Sequence, residues 1–161
     1  MIYILYRKLS KLKDNDLILG VFTSKNKALK ERNIYISTTK YSDPYDPQPN
    51  FNIDLEKDVI ILERTFTKNH ENPKTAYFIL LIKKDIIEKD REIITIHDDH
   101  QDFFEGFKDI YRKLKKKKLP VKFIEFENVN LNKLRLHNKT KYPRDYFLDH
   151  SDIIEIFYEY F

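Results

Sequence analysis

Apolar positions along this chain follow two different periods. Short runs rich in β-branched and aromatic residues occur at Ile2–Lys8 (IYILYRK), Leu17–Thr23 (LILGVFT), Asp58–Phe66 (DVIILERTF), Thr75–Lys83 (TAYFILLIK), Glu92–His97 (EIITIH) and Val121–Phe126 (VKFIEF). Their composition and length predict strands. The near-continuous apolar character of the third and fourth runs predicts burial on both faces. Helical spacing is clearest between His97 and Val129. There Phe103, Phe107, Ile110 or Tyr111, and Leu114 recur along one face, widened by Phe104. Asp98 or Asp99 caps this helix, Asp102 and Glu105 load its first turns, a lysine block loads its end, and Pro120 stops it. A shorter helix is expected at Lys25–Asn33 behind the N-cap Ser24.

The connections are polar. Ser10–Asp16 suits a hairpin loop, and Thr67–Lys74, with His70, Asn72 and Pro73, suits a second. Ser37–Asp54 carries Pro44, Pro47 and Pro49, which oppose helix and central strand and favour an extended loop. Asp85–Arg91 is a charged connector, and a subdivision of the chain would fall near 85–92. Asn128–Leu148 reads as irregular. The tail Asp152–Phe161 fits a helical face, with Asp152 and Glu155 as a capping box, although its alternate residues would also line a strand. Gly20 is expected at a bulge or a close approach of the first helix. No internal repeat is visible. The pattern predicts one α+β domain over 1–161, with a mainly antiparallel sheet of about five to six strands and two to three helices packed on it.

The run Leu17–Leu29 (LILGVFTSKNKAL), following a strand and a polar loop, resembles small uncharacterised β-β-α domains of large DNA viruses and bacteriophages. The resemblance covers residues 1–33, implies a viral source and says nothing about activity; a viral structural or accessory protein is the corresponding expectation. The resemblance brings no catalytic residues with it.

Composition narrows the chemistry. With 161 residues, 41% of them hydrophobic, the chain can bury a sizeable core. Cysteine is absent, which excludes disulfides, thiolate-ligated metals and thiol nucleophiles. Only Gly20 and Gly106 are glycine, too few to build a phosphate-cradling loop. No apolar run is long enough for a membrane span, so no membrane association and an intracellular location (host cytoplasm or virion, if viral) are expected. The net charge of +4 is compatible with nucleic acid without requiring it. No cofactor is called for.

Candidate chemistry falls in three places. The first is the proline–tyrosine loop, where Tyr41, Pro44, Tyr45, Pro47 and Phe51 offer aromatic and polyproline contacts to a protein partner or to a second copy of the chain. The second is Arg112, Lys113, Lys115, Lys116, Lys117 and Lys118, continued by Lys122, which could grip phosphates of a nucleic acid. Burial of the aromatic stripe dominates the docking of this helix, so the lysines exceed what folding requires. The third is His97 and His100, with Asp98, Asp99 and Asp102 close by, as ligands of a first-row metal in a hydrolase-like site. Nuclease patterns fit poorly, because Glu127 stands where an acid-x-Lys motif would need its lysine. The sequence therefore points first to a non-enzymatic protein-interaction module, then to a nucleic-acid-binding protein, and last to a metal-dependent hydrolase.

Overall fold

A computed structural model describes residues 1–8, 17–40, 43, 54–84, 89–116 and 124–135. Among these, six strands and three helices follow in the order β1 (Ile2–Arg7), β2 (Leu17–Phe22), α1 (Lys25–Thr39), α2 (Leu55–Asp58), β3 (Val59–Arg64), β4 (Thr75–Lys84), β5 (Lys89–His97), α3 (His100–Lys116) and β6 (Ile124–Asn130). The protein is α+β. Its strands divide between two antiparallel three-stranded sheets, ordered β2-β1-β3 and β5-β4-β6.

The two sheets pack face to face. Ile2, Ile4 and Tyr6 of β1 meet Ala76, Phe78 and Leu80 of β4 in one buried cluster, joined by Ile18, Val21, Ile96 and Val129. The outer face of the first sheet carries Leu5, Leu19, Phe22 and Val59, and α1 covers it with Ala28 and Tyr35. The outer face of the second carries Tyr77 and Phe126, on which α3 lays Phe103 and Phe107 at ring-centroid distances of 5.5 to 6.2 Å. Both faces of each sheet are thus covered, which accounts for the continuous apolar runs.

Several boundaries differ from those read in the sequence. Helix α1 continues to Thr39, because Tyr35 and Thr39 extend its buried face beyond Asn33. The short helix α2 is capped by Asp54, whose carboxylate accepts from the Glu56 and Lys57 N–H groups. Strand β5 begins inside the expected connector, with Arg91 opposite Ile82 and Glu92 opposite Leu81. Strand β6 continues to Asn130, into a stretch expected to be irregular. The tail 152–161 lies outside the described residues.

The two sheets also repeat one design. Apart from the short α2 before β3, each half runs strand, strand, helix, strand, with the first strand central. Each second strand carries one extra residue at the same place. Leu5 pairs with Gly20 and Tyr6 with Ile18, which leaves Leu19 as the bulge. Ile79 pairs with Thr95 and Leu80 with Ile93, which leaves Ile94. Beyond the bulge, Val21 and Ile96 both return to the inter-sheet core, while Phe22 and His97 turn toward their helices. Two residues later, Ser24 and Asp99 begin α1 and α3, their carbonyls accepting from Ala28 and Phe103.

The correspondence extends to contacts between the halves. After β3 the chain crosses to the second sheet, where the Thr67 N–H donates to the Ile96 carbonyl at 2.8 Å. After β6 it crosses to the first, where the Asn132 N–H donates to the Val21 carbonyl at 2.8 Å. Phe66 and Leu131, the residues just before these donors, both enter the inter-sheet core. Such reciprocal crossings are the pattern that a two-fold relation between similar units generates.

Candidate functional site: a histidine–aspartate cluster at the start of α3

The segment after β3 meets the β5–α3 junction at a group of ionisable side chains. Asp98 directly follows β5 and has a side chain only 1% exposed. Its two oxygens are taken by one residue: Oδ2 accepts from the His70 backbone N–H at 2.8 Å, and Oδ1 lies 2.7 Å from His70 Nδ1. A carboxylate can only accept here, so the imidazole donates from Nδ1, and its tautomer and orientation are set. The other ring nitrogen, Nε2, is thereby directed at Asp102 Oδ2, 3.2 Å away.

Asp99 and Asp102 stand in the first turn of α3. Asp99 Oδ1 accepts from the Gln101 and Asp102 N–H groups, both at 3.0 Å, as an N-cap does. These bonds hold its carboxyl below the usual carboxylate range, so it stays ionised. Asp102 Oδ1 pairs with Lys68 Nζ at 3.2 Å. Its Oδ2 is buried and accepts no hydrogen bond of good geometry, although His70 Nε2 is near. The hydrogen bond that His70 donates to Asp98, with further attraction from the Asp98, Asp102 and Asp99 charges, raises the pKa of His70 above its ordinary value.

Donor atoms of His70, Asp99 and Asp102 lie within 4.8 Å of one another. Two donors each about 2.1 Å from one ion are separated by roughly 3.0–3.4 Å. The Nε2–Oδ2 distance is therefore that of neighbouring ligands on a small cation. Asp98 stands behind His70 as the orienting carboxylate commonly found behind metal-ligating imidazoles.

The histidines singled out in the sequence take other places. His97 is buried at the end of β5, its Nε2 3.1 Å from Thr95 Oγ1 and its ring edge-on to Phe103. Burial lowers its pKa, so the ring is held neutral under α3. His100 lies against Tyr77, with ring centroids 5.9 Å apart. The structure brings Asp98, Asp99 and Asp102 to His70 rather than to a His97–His100 pair. In the sequence His70 is only a loop residue, since nothing local joins it to residues 28 positions away. A polar loop histidine together with the acidic start of α3 was the only available signal.

Within the lysine block, Arg112, Lys113 and Lys116 are exposed, and Arg112 pairs with Asp109 at 3.6 Å. Lys115 lies in α3, and Lys117, Lys118 and Lys122 fall outside the described residues. Tyr41, Pro44, Tyr45, Pro47 and Phe51 also fall outside them. Asp43, next to Pro44, makes a two-pronged ion pair with the buried Arg7, which also donates to the Tyr35 hydroxyl at 2.9 Å. No helix among the described residues is long and apolar enough to cross a membrane.

Comparison with protein-family models, with curated proteins and with solved structures gives no match.

Proposed function

We propose that this chain is a binding module whose ligand is a divalent first-row cation, held by His70, Asp99 and Asp102 and oriented by Asp98. The observation that carries this reading is the contrast between the two halves. At the corresponding junction of the first half, Thr23 and Ser24 occupy the places of Asp98 and Asp99. There the Asn132 side-chain oxygen accepts from the Thr23 N–H at 3.0 Å and lies 3.1 Å from its hydroxyl. That junction positions a crossing segment and caps a helix with neutral groups alone. The same structural task does not call for the ionised set around His70, which also contains a buried carboxylate oxygen with no well-formed hydrogen bond.

Imidazole with carboxylates suits Zn²⁺ or Mn²⁺ better than a hard, all-oxygen ion such as Mg²⁺. Phosphate contact through α3 has weaker support, since Arg112 is already paired within its own helix. The reading is tested by calorimetry and thermal denaturation with Zn²⁺, Mn²⁺ and Mg²⁺ in turn. A cation at about a hundred times its dissociation constant should stabilise the wild type by about 2.7 kcal/mol. His70→Ala and Asp102→Asn should remove that response. The double variant Asp98→Thr with Asp99→Ser, which copies the neutral junction, should fold and cap α3 yet fail to bind. A response of equal size in all of these variants, or none in the wild type, would sink the proposal.

A further inference from the structure

We propose that the face between the two sheets is a docking surface that can join separate chains, and that its second occupant is the complementary half of another copy of this protein. The inference is independent of the cation reading. It rests on the repeated strand–strand–helix–strand design and on the reciprocal crossings, in which each half receives the segment following the third strand of the other. Contact between the halves is made by the apolar residues of the inter-sheet cluster and by those two crossings. None of these contacts requires both halves to belong to one molecule. An interface of this kind is satisfied equally well when two copies exchange halves.

The connection between the halves decides which arrangement forms. Both its ends are fixed to the second sheet: Thr67 donates to Ile96 on β5, and the Lys74 carbonyl accepts from Leu131, just after β6. Lys74 leads directly into β4, four residues before Phe78, the partner of Ile96, so these anchors are separated by about 13 Å along the strand direction. Residues 68–73 span that gap. If they are removed, Thr67 is joined directly to Lys74, and adjacent Cα atoms reach only about 3.8 Å. The crossing within one chain then cannot close, whereas a crossing to a second copy remains open.

The experiment is deletion of residues 68–73 from the full chain, followed by light scattering on a sizing column and circular dichroism. The expected product is a folded dimer of twice the chain mass. A folded monomer would overturn the proposal. Because the deletion could instead prevent folding, a second protein carries a protease site inserted between Glu71 and Asn72. After cleavage the two pieces should co-elute as a one-to-one complex and reassemble after denaturation and mixing. Pieces that separate in native buffer would overturn the proposal whatever the deletion variant does.

Discussion

Gly106 sits in the middle of α3, where glycine is less favourable than alanine by roughly 1 kcal/mol. Its reason lies across the interface. A β-carbon there would stand 2.8 Å from Nε2 of His97, whose ring is buried beneath the helix. Gly106→Ala should therefore destabilise the fold by about 1–3 kcal/mol through overpacking, despite the gain in helix propensity. Adding His97→Ala should relieve the clash, so the two changes together cost less than their sum in urea denaturation. Additive costs would show that the close approach has no energetic consequence. Gly20 follows the same logic on the first sheet. It is part of a bulge, as the sequence suggested, but its close neighbours are the Phe22 ring at 2.9 Å and the Lys133 carbonyl at 3.0 Å, not α1. Spacing along the chain could reveal a need for glycine; it could not identify a neighbour more than a hundred positions away.

The bulges at Leu19 and Ile94 reset which side of each strand faces which layer. Ile93 and Ile96 both reach the inter-sheet core because Ile94 is skipped, and Ile94 is left 38% exposed. Ile96→Ala should accordingly cost about 2–4 kcal/mol, whereas Ile94→Thr should fall within about 0.5 kcal/mol of wild type. Comparable losses at both positions in thermal unfolding would contradict the register. In the sequence, EIITIH reads simply as an apolar strand. Period-two alternation identifies strands but does not say where a phase slip falls. The cores of the strands and the caps at Ser24 and Asp99 could be read from local pattern, because local spacing and side-chain chemistry determine them. The division of six strands between two sheets could not, since a strand covered by a helix on one side and a sheet on the other resembles any strand covered twice. His70 was hidden for a related reason: its partners are brought to it by the crossing after β3.

The repeated architecture escaped sequence reading because equivalent positions share burial and not chemistry. Phe22 corresponds to His97, Thr23 to Asp98, Ser24 to Asp99 and Ala28 to Phe103. Apolar class is retained where the sheets meet, as in Ile18 and Ile93 or Val21 and Ile96, and almost nothing is retained at the helix junctions. The reciprocal crossings also bear on how the molecule is made. The inner face of the first sheet, with Ile2, Ile4, Tyr6, Ile18 and Val21, is completed by Val129 and Leu131, near the other end of the described chain. At about 5–20 residues per second, the ribosome needs on the order of 3–13 s to extend the chain from Thr67 to Leu131. Throughout that interval the apolar inner face of the nascent first half lacks its full covering. Ribosome-bound chains halted before β6 should be captured by a chaperone that binds hydrophobic segments and cut readily by protease. Chains whose β6 and following crossing have cleared the exit tunnel should resist both, and equal resistance at the two lengths would mean that the first sheet is protected without its partner.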